Sequence, residues 1–289
     1  MTALRDTGRA KLNLTLDVLG RRADGFHELN SLVAFATLGD QVEFEPHAPL
    51  ELSVEGPFAR TLGGDNLIVK AARAAAYMVP DLKLGRFRLI KILPVASGLG
   101  GGSADAAAAL RLIARANDGA LSERALSELA PKLGSDVSVC LFSRPALIAG
   151  RGEKVEPVSG FPPCGVLLAN PGQALATEAV YAALRAAPLA ASPRPVAERL
   201  DFHGDFEALL AYAAPRGNDL EGPAAQLVPE IRAVLAALVT LDGVRLARLS
   251  GSGPTCFGLF ASEPEAQRAG ARLTAEFPAW WIAAAALTA

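Results

Sequence analysis

The sequence predicts an α+β fold in two domains, divided near residues 1–160 and 161–289. Three observations carry that expectation. Strand-like and helix-like stretches are interleaved without the regular alternation of a parallel βαβ protein. A glycine-rich run, Ser97-Gly98-Leu99-Gly100-Gly101-Gly102-Ser103-Ala104-Asp105, joins an apolar β-like stretch to a helix-like one. The turn-forming run Gly160-Phe161-Pro162-Pro163 marks a boundary. A chain of 289 residues, 51% hydrophobic and 20% charged, has material for a sizeable core.

Each element has a local reason. Leu12 to Val18 alternates apolar and polar residues as a half-buried strand does. Gln41–Glu45 and Leu50–Val54 read as two further strands. Asn66–Met78 reads as a helix with Asp65 as its cap. Phe87 to Pro94 is β-like, and Ala106–Ala116 and Leu121–Leu133 are helical. Ala146–Ala149 is a short strand before the turn Gly150-Arg151-Gly152. Gly165–Ala169 has the pattern of a buried strand, and Thr177–Leu184 that of a helix. The Ala-, Pro- and Arg-rich stretch 185–199 reads as a surface connection. Leu220–Val239 reads as one helix despite Pro223 and Pro229. Val244–Leu249 and Thr255–Phe260 form a strand pair joined by Ser250-Gly251-Ser252-Gly253-Pro254. A helix over Pro264–Phe277 and a strand over Trp281–Ala284 close the chain.

The glycine run carries the most chemical information. Glycine lets backbone approach a ligand closely and adopt positive φ. A helix N-terminus behind it offers unpaired N–H groups and partial positive charge. Strand, glycine loop and helix together make a phosphate cradle. A branched side chain at Gly101 is expected to obstruct that approach. The competing reading is a flexible Gly-Ser linker, which usually joins polar stretches rather than two regular elements. The run lacks the Gly-Lys-Ser/Thr ending of a P-loop. Ser103 stands where the dinucleotide pattern wants Gly or Ala. No His-Arg-Asp or Asp-Phe-Gly triplet of a protein kinase occurs.

Four weaker clusters accompany it. Gly251-Ser252-Gly253 is either an ordinary turn or a second face of the same ligand site. Lys11 and Asn13 share one face of a strand, suited to an anionic or hydroxylated ligand or merely exposed. Phe26 and His27 follow Arg22-Ala23-Asp24-Gly25; their rings can stack on a base, or the histidine is simply a loop residue. Asp136 follows Gly134-Ser135 and precedes an apolar segment; it reads as a cap or as a carboxylate able to accept a hydroxyl proton.

Composition excludes several classes. With Lys+Arg 28 against Asp+Glu 30, the net charge of −2 leaves no basic footprint for nucleic acid. Cys140, Cys164 and Cys256 lie far apart in apolar runs and read as buried packing residues, not disulfides or zinc ligands. The apolar stretch near 279–289 is too short to span a bilayer. No signal-peptide pattern is present, so the expected compartment is cytoplasmic, with no membrane partner.

Taken in order, Ala10-Lys11-Leu12-Asn13-Leu14, Arg22 to His27, Asp65-Asn66-Leu67-Ile68, Pro94 to Asp105, Gly134 to Val137, Pro171-Gly172 with Thr177 and Tyr181, and Leu249 to Gly253 resemble the GHMP kinases. That family is named for galactokinase, homoserine kinase, mevalonate kinase and phosphomevalonate kinase. The resemblance covers nearly the whole chain. It implies two α+β domains with the active site in the interdomain cleft. It implies ATP with Mg2+, and phosphorylation of the 2-hydroxyl of a methylerythritol carried on cytidine diphosphate. By residue-wise carry-over, Asp136 is the general base and Lys11 its electrostatic partner. Asn13, Thr177, Phe26, His27 and Tyr181 contact the substrate, the three rings around cytosine. Gly98, Leu99, Gly100, Gly101, Gly102 and Ser103 wrap the ATP phosphates, with Pro94 at the loop's entry and Asn66 and Lys91 near the nucleoside. Gly251, Ser252 and Gly253 close on the site, and Ser103 is a candidate Mg2+ ligand. The implied assembly is a monomer or weak homodimer. Phe26 stands where the family commonly has Tyr, and Ala104 where it commonly has a second Ser near the phosphates. Two alternatives stay open: a sister kinase of homoserine or mevalonate type, which needs no cytosine grip, and a non-catalytic nucleotide-binding protein, which needs no Lys11 and Asp136.

Overall fold

The computed structural model of the chain describes residues 3–61, 66–190 and 199–287. The elements in order are β1 (Leu4–Asn13), β2 (Asp17–Arg21), β3 (His27–Glu45), β4 (Glu51–Glu55), α1 (Leu67–Met78), β5 (Arg86–Ile90), α2 (Gly101–Ala116), α3 (Glu123–Leu133) and α4 (Val137–Phe142). They continue with β6 (Ala146–Gly150), β7 (Lys154–Pro157), β8 (Gly165–Asn170), α5 (Thr177–Leu184), α6 (Phe206–Ala213), α7 (Glu221–Leu227), α8 (Glu230–Val239), β9 (Leu246–Leu249), β10 (Cys256–Phe260), α9 (Glu263–Glu276) and β11 (Trp281–Ala286). The expected α+β class is what the elements form.

The chain divides into two compact units, each discontinuous in sequence. The first comprises the residues up to Ala10, Gly39–Val95 and Gly100–Ser143; the second comprises Lys11–Leu38, Ala96–Leu99 and Arg144–Ala289. The expected division at residue 160 follows chain order, whereas these units interleave: β1 and β3 each give residues to both.

In the first unit, β4 runs parallel to β5, and β5 pairs antiparallel with residues 41–45 of β3. α1 packs along α2, and α2 along α4. α2 is alanine-rich, and Ala104 through Ala109 are buried, so it sits deep with small side chains.

In the second unit, β2 and β6 both pair antiparallel with the N-terminal half of β3, and β7 extends from β6. A separate antiparallel sheet has the order β11-β8-β10-β9. Leu167, Ala169, Val180, Ile231, Val234, Leu238, Cys256, Phe260 and Leu273 form one continuous apolar core between that sheet and its helices. Arg248 is buried in this unit, and its guanidinium donates to the carbonyls of Leu14 (2.6 Å) and Ala213 (3.1 Å).

Several expectations are corrected. The first strand starts at Leu4 and stops at Asn13, because Arg5, Asp6 and Arg9 mask the pattern of a strand that is half-exposed there. β3 is 19 residues long, although only its last five show a strand signal; residues 31–36 are buried on both faces, which removes alternation. Asp65 lies outside the described residues, and the cap of α1 is Asn66, whose side-chain oxygen accepts from Ile68 N at 2.8 Å. α2 begins at Gly101, five residues earlier than its first clear helix former. The stretch 220–239 is two helices, not one. Val228, just before Pro229, is extended at φ −129°, as a residue preceding proline prefers. α4, α6 and β7 carried no expected element. Residues 191–198 of the proposed connection lie outside the described residues. Cys140, Cys164 and Cys256 are free and buried, as read, and burial pushes the Cys164 thiol up to about 12.

Arg248→Met keeps the aliphatic stem but takes the donor from the buried Leu14 carbonyl and one of two donors from that of Ala213, which retains Arg216 N. A hydrogen bond to a charged group is worth about 1.5–3 kcal/mol, so urea unfolding is expected to show a loss of roughly 2–4 kcal/mol. A loss under about 0.5 kcal/mol, the ordinary surface value, would refute this role.

Candidate active site

The site residues of the second unit assemble around two glycine turns packed backbone to backbone. Gly98 has φ +76°, and a Cβ there would overlap the Ser250 carbonyl oxygen and crowd Gly253 N at 2.7 Å. No other residue fits. The Ser250 hydroxyl donates to the Gly98 carbonyl at 3.0 Å, and Thr255 N to the Ser97 carbonyl at 3.1 Å. Leu99 is buried, and its carbonyl accepts from Lys11 N at 2.9 Å. The two turns that were separate motifs in sequence are thus one structure.

Asn13 and Thr177 meet the second of these turns. Asn13 is buried, donates from Nδ2 to the Ser31 hydroxyl at 2.8 Å, and leaves Oδ1 buried without a partner. A Cβ on Gly251 would stand 3.1 Å from that oxygen. Thr177, first residue of α5, bonds through its hydroxyl to the Ser252 hydroxyl at 2.9 Å. Asn218, which sequence reasoning missed, fixes the turn by donating to the carbonyls of Leu249 (2.9 Å) and Gly251 (2.8 Å). Lys11 is buried on β1, two residues from Asn13.

The aromatic group is also in the second unit. Residues 22–26 form a turn in which Arg22 N donates to the Phe26 carbonyl at 2.8 Å, with Gly25 at φ +87°. His27 is the first residue of β3 rather than part of the turn. Its ring stacks on Tyr181, with centroids 4.6 Å apart and planes at 25°. Burial, with Arg21 nearby, lowers the imidazole below its ordinary 6.5, so it is neutral at pH 7. Phe26 is 52% exposed, and the Arg151 guanidinium lies 4.6 Å over its ring. Structure therefore pairs His27 with Tyr181 and Phe26 with Arg151, where sequence had grouped three rings alone.

In the first unit, α2 opens at Gly100 (φ +63°) with no side-chain cap, so its first N–H groups remain free of side-chain acceptors. A Cβ on Gly102 would meet nothing within 4 Å. Small residues, open space and uncapped N–H groups fit an anionic group such as a phosphate. Ser103 stands in the same first turn. Gly101 departs from expectation: its Cβ would point not outward but at Lys91 Nζ, 2.9 Å away. Ala104 is buried in α2, so a serine hydroxyl there would face the interior. Pro94 is buried at the loop's entry.

Lys91, expected near a nucleoside, has its ammonium buried between Asp40 and Asp105, with Nζ 3.0 Å from Asp105 Oδ2 and in close contact with Asp40 Oδ2. Asp40 Oδ1 also accepts from Ile92 N (2.6 Å) and Leu93 N (2.9 Å). Burial pulls Lys91 down, but Asp105 and Asp40 outweigh it and hold it above its ordinary value. Burial pushes Asp105 up to about 7 against the pull of Lys91, and its Oδ1 has no partner.

Asp136 occupies the N-cap position of α4 in the right-handed helical region, but its side chain makes no capping hydrogen bond. The cap reading of the sequence therefore holds for its position and not for its carboxylate. Among the described residues no group of three His, Cys, Asp or Glu is placed to hold a metal. Asp105 is turned into the interior, and Ser103 stands two residues before it in the first turn of α2. No helix among the described residues is long and apolar enough to cross a membrane.

Two family models match the chain. The GHMP kinases N terminal domain covers residues 66–144, and GHMP kinases C terminal covers residues 197–279. A 4-diphosphocytidyl-2-C-methyl-D-erythritol kinase of Parvibaculum lavamentivorans is 49% identical over 96% of this chain and 96% of its own. The protein of that name from a Bradyrhizobium strain is 46% identical over 99% of this chain and 97% of its own. The crystal structure of a 4-(cytidine 5'-diphospho)-2C-methyl-D-erythritol kinase superposes with TM-score 0.78 at 34% identity, covering 99% of this chain and 100% of that one. A Cytophaga hutchinsonii homoserine kinase shares the fold at TM-score 0.63 and 14% identity, covering 99% of this chain and 95% of that one.

The raised Asp105 carboxyl has a stability signature. Its value is 3.8 in the free chain and about 7 when folded, so the native state holds the extra proton between those limits. The stabilisation is complete below the free-chain value and is lost as pH rises through about 7. Asp105→Asn, permanently neutral, is expected to flatten the fall in urea midpoint between pH 5 and pH 8. An equal fall in both proteins would refute the assignment.

Proposed function

The chain belongs to the 4-diphosphocytidyl-2-C-methyl-D-erythritol kinases within the GHMP kinases, and from that premise we propose how its own residues carry the activity. The reaction is ATP-dependent phosphorylation of the 2-hydroxyl of the methylerythritol unit, a step of the non-mevalonate isoprenoid route. The observation that carries the phosphotransfer reading is the glycine loop opening on the uncapped start of α2.

ATP supplies the phosphoryl group when bound. The N–H groups from Gly100 to Ser103 hold its phosphates, Gly98 and Leu99 fix the loop, and Asn66 lies toward the nucleoside. Lys91 contributes by holding the loop rather than by touching the nucleotide. The Ser103 hydroxyl would help to hold Mg2+, which would offset phosphate charge when bound. Phosphoryl transfer needs positioning and charge neutralisation more than covalent chemistry. Asp136 accepts the proton of the attacking hydroxyl, and Lys11 offsets negative charge as it develops. Asn13, through its unpartnered Oδ1, and Thr177 orient the alcohol, and the Gly251-Ser252-Gly253 turn holds both. Phe26, His27 and Tyr181 receive the cytosine. A neutral His27 suits that role, since it offers one donor and one acceptor to a base edge. The assembly is a monomer or weak homodimer that takes small molecules only. Three buried free thiols suit a reducing cytoplasm.

A coupled ADP-release assay tests the substrate. Turnover is expected with the cytidyl alcohol and not with homoserine or mevalonate; the reverse would move the chain to a sister activity. Asp136→Asn is expected to bind ATP normally and lose about 10²–10⁴-fold in kcat. Near-parental turnover would remove Asp136 from the role. Base–aromatic stacking is worth about 1–3 kcal/mol, so Phe26→Ala is expected to raise KM for the cytidyl substrate by roughly one to two tenfold steps. KM for ATP should stay put. If both constants rise together, Phe26 shapes the whole site instead of the base pocket.

A further inference from the structure

Asp40 and Asp105 are buried, are joined through the Lys91 ammonium, and take part in no step assigned above. What they touch is specific. Asp40 Oδ1 receives both Ile92 N and Leu93 N, the backbone that leads out of β5 toward the glycine loop. Asp40 Oδ2 holds the Lys91 ammonium, and that ammonium reaches Asp105 Oδ2 at 3.0 Å, in the second turn of α2. Gly101 lies directly against the same ammonium, which a Cβ there would approach to 2.9 Å. A single buried charge cluster therefore grips the entrance of the loop on one side and the first turns of the helix on the other. The residues between these anchors, 94–100, decide where the N–H groups of Gly100 to Ser103 stand relative to the end of β5.

We propose that Asp40, with Lys91 and Asp105, is a positioning residue for the nucleotide: the cluster sets the distance between the loop's entrance and the α2 N-terminus. The inference rests on the reading of residues 98–103 as the phosphate-binding loop. Asp40 touches no reacting atom and acts through backbone that it holds. A burial-driven role alone would require only charge balance. Balance does not explain why the carboxylate takes two successive backbone donors, nor why residue 101 has no side chain.

Asp40→Ala removes the acceptor of both N–H groups while leaving Lys91 balanced by Asp105. Asp40→Asn keeps one acceptor oxygen for Ile92 N and Leu93 N but turns an NH2 donor toward the Lys91 ammonium, so the charge and the Lys91 contact are lost while the backbone contacts stay. Affinity for a non-hydrolysable ATP analogue is read by calorimetry on the full chain at pH 7, beside KM for ATP and for the cytidyl alcohol. Asp40→Ala is expected to weaken analogue binding and raise KM for ATP by about tenfold or more, the scale of two lost charge-assisted bonds. Asp40→Asn, which keeps the backbone acceptor alone, should recover part of the loss, and KM for the alcohol should hold in both. Should Asp40→Ala fail to fold, Asp105→Asn takes its place, with an expected weakening of roughly threefold to tenfold for one weakened bond. Folded variants that bind the analogue within twofold of the parent overturn the proposal. So does a parallel rise in both KM values, which marks a merely structural role. Gly102→Val serves as the control on the loop itself, since its side chain enters open space above the α2 start. If Gly102→Val loses the analogue and the cluster variants do not, only the positioning role falls. If Gly102→Val binds normally, the phosphate-loop reading falls with it.

Discussion

Everything proposed for the substrate side of this protein hangs on one steric fact: at residue 98 there is no room for a side chain. The Ser250 carbonyl and the Gly253 amide occupy the space a Cβ would take. That contact locks two loops, 152 residues apart in sequence, into one piece of backbone. Asn13, Thr177 and Ser252 are then held by short polar contacts that radiate from it. Because the contact is between main chains, its geometry depends little on rotamers, and the polar side chains around it inherit that definition.

The phosphate side is organised by charge instead of shape. A helix start with free N–H groups attracts anions, but the effect fades within about a turn and depends on where the backbone stands. Buried beneath the start of α2 is a group of one cation and two carboxylates. Such a cluster is a poor source of net stability, since desolvation offsets attraction. What it does supply is directionality, because each partner has one arrangement that satisfies the others. The loop above can then be made of glycine without being loose.

How much of this was legible in the sequence follows from the range of each signal. Short-range features were readable: both glycine turns, the strand before the first, and the helix after it. The polar pair at 11 and 13 and the ring pair at 26 and 27 also stood out, since neighbours in sequence declare themselves. The start of α2 was hidden because Gly101 and Gly102 are poor helix formers held helical by context. β3 was hidden because burial on both faces erases alternation. The partners of Lys91 were invisible, being 51 and 14 residues away. One clue was available: Asp40 lies inside a run of strand residues, where aspartate is disfavoured unless something buried needs its charge. Asn218 gave no comparable clue, since an asparagine before a helix reads as an ordinary cap. It does serve the following turn, accepting Leu220 N, while its amide holds the glycine turn.

The interleaving of the two units has a consequence for synthesis. Residues 11–38 leave the ribosome early, yet in the finished protein they belong with the stretch from Arg144 onward. The segment Leu29 to Val33, buried for most of its length at the end, must wait for more than a hundred residues before β6 arrives to pair with it. The first unit, by contrast, is complete in sequence once Ser143 has emerged. Vectorial synthesis therefore favours closing the first unit first and leaves an apolar strand that has β1 and β2 beside it but lacks β6 in the meantime. It is the kind of segment that chaperones hold and that aggregates when they do not.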